Sequence, residues 1–500
     1  MILRSLFLSS IVALSSCTSL EEEILDGQGV VKGDAATVNT SALLLSAYEG
    51  LREFQAQGQM FAMGEMSSDA LVGPTRGGDW DDNGSWRQLH THTWGPDHVE
   101  VRGAWISLLS NVYKCNQILD NSNVAAEITE ARYLRAFYYY HVVDLFGQAP
   151  YRAANSRPED DALVYSRADA TNYVISELEA ILNNLQARNA SDPSKANKDA
   201  ANFLLAKLYL NKAVFASTDP SVGTFTFAPA DMNKVIGYVN AISSSLAPNY
   251  WDNFSPNNNT SPEILFTSKN VLGNSGNIQS RWRMSAHYNE TPGGWNGFST
   301  LSEYYNRYNA NDARIKNTDP AVIANFGNPT GFHVGQQYAP GGVIPLKDRK
   351  NNPLVFTPQV TMITRGATLE TAGIRGQKYV PDVANINSPE NDYVFFRYSD
   401  ALLMKAEAIA RGGSGSVGTI MDDIASRTGQ AASPATLDGI YAERGKELWW
   451  EGWRRNDMIR FGKFLAQREL KPYASASKYA LFPIPADALL NPNITQNPGY

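Results

Sequence analysis

The chain has 500 residues, 43% of them hydrophobic and 19% charged, enough apolar material for a large core and too much for a disordered polypeptide. A net charge of −7 with no basic run makes nucleic acid a poor partner. With only two cysteines, the fold must rest on that core and not on the disulfide frameworks that hold small secreted domains together.

In chain order, residues 1–16 have the form of a secretory signal. Arg4 supplies the positive charge, and Leu6 to Leu14 (LFLSSIVAL) form an apolar run too short for a bilayer, which takes ~20 residues. Leu14-Ser-Ser-Cys17 is similar to a lipobox, in which the thiol is alkylated by diacylglycerol and the cysteine becomes the mature N-terminus. Cys17 is therefore the expected lipid anchor of a tethered, not transmembrane, body; two or three acyl chains hold firmly where one holds marginally. Glu21, Glu22 and Glu23 follow, like charges that repel an anionic leaflet and keep the linker extended.

Beyond this segment, helical periodicity dominates about 40–67, 99–247 and 396–465. In 101–120, Val101, Trp105, Leu108, Val112, Cys115 and Leu119 recur at steps of four and three, one apolar stripe on a helix. Cys115 on that stripe reads as a small core residue. Residues 131–146 repeat the pattern through Leu134, Phe137, Tyr138, Val142 and Leu145, with Gly147 as the stop and His141 as a satisfied core histidine. Further stripes run through Val174, Leu178, Ile181 and Leu185, then Leu204, Leu208 and Phe215; helices are also predicted over 230–246, 399–411 and 435–460. Paired helices stacked in series describe a degenerate helical-repeat scaffold, so the expected fold is mostly α.

Residues 68–98 and 248–395 interrupt that pattern. They are rich in Gly, Pro, Asn and aromatics, and are expected to form ordered, loop-rich lobes with a few short strands such as Ile264 to Thr267. Trp80, Trp86, Trp94, Trp251, Trp282 and Trp295 all fall there. Indole rings in loops offer flat platforms to ligands with apolar faces and polar rims, such as sugar rings. The candidate ligand-binding residues are Trp80, Trp86, Trp282 and Trp295 as platforms, with Asp79, Asn83, Arg283 and Tyr288 for hydroxyl rims. The two lobes are expected to meet on one exposed face.

Several motifs are set aside. Gly413-Ser-Gly-Ser-Val-Gly418 matches GxGxxG but follows a helix, not a strand. Asp79, Asp81, Asn83 and Gly84 match the first half of a calcium loop, yet its twelfth position is His90 where a bidentate Glu is needed. His90, His92 and His98 lie near Asp97 without a cysteine or a helical i, i+4 pair, and read as a polar loop. Glu443, Glu447 and Glu451 share one helix face with Arg444, Arg454, Arg455 and Arg460 close by, a structural ion-pair grid, not a glycosidase pair on separate elements. No GxSxG, HExxH or P-loop is found, so no catalytic residue, metal or cofactor is expected.

Four stretches together resemble the SusD/RagB family of outer-membrane lipoproteins: the lipobox; ARYLRAFYYYHVVDLFGQAPY (131–151); DYVFFRYSDALLMKAEAIAR (392–411) with YAERGKELWWEGWRRNDMIRFG (441–462); and the tail LFPIPADALLNPNITQNPGY. The resemblance spans nearly the whole chain. It implies one domain over 17–500, built on four degenerate tetratricopeptide-like helix pairs with a loop lobe bearing the ligand site and an extended tail (473–500) pinned over the helices. It implies a surface protein that captures glycan and passes it to a SusC-like TonB-dependent barrel transporter. Asp69, in MSSDALVG, sits where the family often carries Ser-Ser-Asp and is added to the ligand-binding candidates. A surface glycoside hydrolase and the binding component of a different transporter are the alternatives.

Overall fold

The computed structural model describes residues 38–153, 156 and 163–500; the signal-like segment, Cys17 and the glutamate run lie outside them. Residues from Thr40 onward form one compact unit. The chain opens with α1 (Thr40–Glu49) and α2 (Gln59–Glu65), and α3 (Ser85–Thr91) follows an irregular stretch. Then come the long helices α4 (Val99–Asn121), α5 (Ala125–Phe146), α6 (Arg167–Ile181), α7 (Lys198–Phe215) and α8 (Pro229–Asn240). Each packs on the next, and α1 and α2 lie on α4. A connection of three residues between α4 and α5 turns the chain straight back, so these two run antiparallel.

Local chemistry explains the helix ends. Gly147 closes α5 at φ 72°, a left-handed conformation that costs glycine little. Ser166 and Asn197 cap α6 and α7, their side chains accepting from the backbone N–H groups of Asp169 and Ala200. The stripe of α4 is buried from Val101 to Cys115, and burial pushes the Cys115 thiol up to about 12, as expected of an inert core residue. His141 lies 4.8 Å from the Phe54 ring and 4.9 Å from Phe137. Its Nε2 has no hydrogen-bond partner, so aromatic packing holds it and the expectation of a satisfied core histidine is corrected. Burial lowers its pKa to about 3.

Residues 241–397 are irregular, with short helices α9 (Ser280–Arg283), α10 (Ser302–Tyr305) and α11 (Pro320–Phe326). The predicted strand is present as Ile264–Ser268. It pairs antiparallel with Tyr393–Arg397, a strand that periodicity did not predict, because all five of its residues are buried and none alternates. The chain returns to helix in α12 (Tyr398–Ala410), which packs on α8, and then in α13 (Ile420–Ser426). The helix predicted over 435–460 is two: α14 (Leu437–Glu447), packed on α12, and α15 (Arg454–Arg460). Trp450 at φ 57° and Gly452 at φ 88° lie between them, conformations no α-helix accommodates.

This break organises the charged core. Glu443, Glu447 and Glu451 are buried, as the grid reading expects, but apart from Lys446, 2.8 Å from Glu443, their cations come from distant elements. Arg397 contacts Glu263, Glu447 and Glu451 at 2.8, 2.6 and 2.7 Å, and Arg314 contacts Glu443 at 2.5 Å and Glu447 at 3.3 Å. The arginines expected to serve these glutamates pair elsewhere: Arg444 with Asp400 and Asp457, Arg455 with Asp144, and Arg460 with Glu407 and Asp457. The C-terminal tail is fastened to α5 by Phe482 N–H donating to the Leu145 carbonyl and by the Asn497 amide donating to that of Phe146. Among the described residues no helix is long and apolar enough to cross a membrane.

Candidate functional site

An open cavity of about 1110 Å³ lies between two segments far apart in sequence. One wall comes from residues 79–100, with Asp79, Trp80, Asp82, Asn83, Ser85, Trp86, Gln88, Thr93, Gly95, Asp97, His98, Val99 and Glu100; Gln57 adds to it. Tyr288 and Trp295 close the other side. Six of the sequence candidates thus meet: Asp79, Trp80, Asn83, Trp86, Tyr288 and Trp295.

Backbone geometry sets the tryptophans. Trp80, Asp82 and Asn83 take positive φ values of 61°, 38° and 51°, and Gly84 lies at 83°, so the chain coils tightly before α3 begins. That coil carries the Trp80 ring onto Phe298 (4.8 Å) and edge-on to Trp86 (5.6 Å), with its Nε1–H donating to the Trp295 carbonyl at 2.7 Å. Gly297 makes room: a Cβ there would lie 2.4 Å from the Trp80 ring. Trp80 and Trp295 are half-buried, packed on one side against the core, whereas Trp86 is only 6% exposed and contributes little more than a margin. Its indole N–H donates to Asp82, which ties the base of the coil.

The polar rim is largely acidic. The Tyr288 hydroxyl donates to Asp79, and the Arg349 guanidinium lies 4.4 Å over the Tyr288 ring and 3.5 Å from the Asp79 carboxylate. Burial pushes the Tyr288 phenol up to about 12, with its hydrogen bond to Asp79 acting in the same direction. On the opposite wall, Glu100 accepts from the Gln59 backbone N–H at 2.5 Å; burial raises its pKa, and the charge of Asp82 adds to that rise. Sequence reasoning missed Gln57, Gln88, Thr93 and Glu100. Gln88 lies within the short helix α3 and the others at a helix start or in irregular backbone, where no pattern distinguishes a wall from a surface.

Three candidates are corrected. Trp282 is 0% exposed inside the core, out of reach of any ligand. Asp69 is buried 2.7 and 2.9 Å from Arg454 and also paired with Arg307; burial alone would raise its pKa, but the two guanidiniums hold it well below the carboxylate range. It is a structural ion. Arg283 does not line the cavity and donates to Asn387 at 3.4 Å. Within the calcium-like and histidine-rich stretches, Asp81 and the three histidines are engaged within the protein. Asp81 pairs with Arg87 at 2.9 Å, while His90, His92 and His98 each use a ring nitrogen on a separate backbone carbonyl, those of Glu469, Ser67 and Ser85. Among the described residues no group of three or more His, Cys, Asp or Glu side chains is placed to hold a metal ion.

A half-buried aromatic floor, an acidic and amide rim and an open mouth suit a ligand that stacks and donates hydrogen bonds. Comparison with known proteins agrees in fold. The chain is 25% identical over 472 residues to the starch-binding protein SusD of Bacteroides thetaiotaomicron, covering 84% of this chain and 82% of that one. It is 24% identical to SusD-like protein P2 of Formosa agariphila, covering 99% of each. Among solved structures, a SusD superfamily protein from Parabacteroides distasonis superposes with a TM-score of 0.69 at 17% identity, over 94% of this chain and 100% of that one. Surface glycan-binding protein A from Bacteroides thetaiotaomicron, in complex with laminarihexaose, does so at 0.65 and 19% identity, over 92% and 98%. The sequence model of the SusD family matches residues 251–500, half of the chain, and the chain belongs to that family.

Proposed function

We propose that this protein is a non-catalytic surface lipoprotein that captures oligo- or polysaccharide in the Trp80–Trp295 cavity and passes it to a TonB-dependent barrel in the outer membrane. The observation that carries the reading is the pairing of two half-buried indoles with an acidic, hydroxyl-accepting rim in a cavity of about 1110 Å³. Sugar rings present axial C–H faces to aromatic rings and hydroxyls at their edges, so one surface can serve both. Relatives named for starch and glycan binding support the choice of ligand class. Cys17 would hold the body at the cell exterior, and a tethered binder needs a pore to move its ligand inward.

The hydrolase alternative has one observation on its side, since Asp79, Asp82, Asp97 and Glu100 face the same cavity. Glycoside hydrolysis needs an acid and a base left free at the scissile bond, with separated pKa values. Here Asp79 is held by Tyr288 and Arg349, Asp82 by Trp86 and Glu100 by Gln59, all contacts that shape the walls. Calorimetry against a panel of polysaccharides tests capture, and prolonged incubation with the bound glycan is expected to release no new reducing ends. Turnover abolished by Glu100→Gln would replace this reading with the hydrolase.

A further inference from the structure

Resting on that reading, we infer that the cavity selects uncharged glycans and rejects anionic ones. Four carboxylates line it, Asp79, Asp82, Asp97 and Glu100, and among the described residues of its lining none is Lys or Arg. His98 is no substitute: it is buried, its pKa is lowered by that burial, and one ring nitrogen is engaged with the Ser85 carbonyl. Two cations beside the rim are already committed. Arg349 bridges Asp79 at 3.5 Å and Glu370 at 3.3 Å, and Arg87 pairs with Asp81 at 2.9 Å.

A uronate or sulfate ester entering this space meets several like charges within the ~8 Å over which physiological salt leaves them incompletely screened. A neutral sugar meets the same oxygens as acceptors for its hydroxyl donors, and hydrogen bonds to ionised acceptors are the stronger kind. Selection thus comes from one set of residues acting in both senses, attractive to hydroxyls and repulsive to anions.

The test screens the full chain, freed of its lipid, by affinity electrophoresis and calorimetry. The neutral probes are laminarin, starch, xylan and galactan; the anionic probes are alginate, polygalacturonate and a sulfated galactan. The best neutral binder is then compared with its own carboxymethylated form. The expected result is binding within the neutral set alone, weakened about tenfold or more by carboxymethylation at low salt. That ratio should narrow at high salt and in the variant Asp97→Asn/Glu100→Gln. An anionic probe bound as tightly as the best neutral one overturns the selection. So does a ratio that salt and the double variant leave unchanged, since steric exclusion alone would give it. Binding to no probe would instead defeat the proposed function, and this inference with it.

Discussion

Two charged regions of this molecule are built to opposite ends. Around Arg397, anions and cations from strand, loop and helix are dry and mutually paired: Glu263, Glu447 and Glu451 on one side, Arg397, Arg314, Arg427 and Lys378 on the other. Around Asp79, the described lining of the cavity carries four carboxylates and no Lys or Arg, and Asp79, Asp82 and Asp97 lie exposed. Buried charge is tolerated only when paired, so the first region holds the fold in one arrangement. Exposed, under-paired charge beside aromatic rings costs little stability and stays available to a ligand. The same residue types therefore do different work according to whether they are buried and fully paired or exposed and only partly paired.

The largest effect expected from breaking this contrast is in the dry region. Arg397→Met leaves three buried glutamates short of a cation and should lower unfolding free energy by about 3–5 kcal/mol in urea titration. A loss below ~1 kcal/mol would mean that Arg314, Arg427 and Lys378 suffice without it.

Glu65 sharpens the contrast because it is a dry carboxylate that pairing does not rescue. It accepts from the Gly452 N–H at 2.7 Å, but its second oxygen has no partner, and burial pushes its pKa from 4.5 up to about 7. The folded state therefore binds a proton that the unfolded state has released between these values. Stability from this group is fully present below about 4.5 and is lost as pH rises through about 7. Glu65→Gln should flatten that decline and gain up to ~3 kcal/mol at slightly alkaline pH, read by urea unfolding on both sides of neutrality. An unchanged slope would assign the pH dependence to other groups.

In the wet region the effect should move from stability to binding. Trp295→Ala is expected to weaken glycan binding about tenfold, ~1.4 kcal/mol, by calorimetry, with circular dichroism unchanged. Gly297→Ala should do the same without removing either indole, because its new methyl displaces the Trp80 ring. Parental affinity in both variants would place the platform elsewhere. The smallest effect is expected from Asp79→Asn. Its ion pair with Arg349 is exposed, so stability should change by under ~0.5 kcal/mol, while affinity falls only a few-fold through weaker acceptance from hydroxyls.

Most of the scaffold is legible in sequence because a helix writes its environment into its period. The stripe through Val101, Trp105, Leu108, Val112 and Cys115 is buried as read, Gly147 ends α5 as read, and the proline-rich tail lies fastened to α5. The aromatic content of residues 79–98 and 288–295 likewise singles out two segments whose rings meet at one cavity. The lipid anchor at Cys17 rests on sequence alone.

Tertiary structure decided the rest. Trp282 and Trp295 stand thirteen positions apart in one aperiodic stretch, and nothing local tells them apart; one is sealed in the core and the other opens onto the cavity. Asp69 reads as a rim residue until Arg454 and Arg307 arrive from hundreds of positions away. The predicted helix over 435–460 breaks at Trp450 and Gly452, and the arginines beside its glutamates serve other acids. In regular elements burial follows from spacing along the chain. In irregular ones it follows from which distant segment packs against them, and that is a property of the folded molecule.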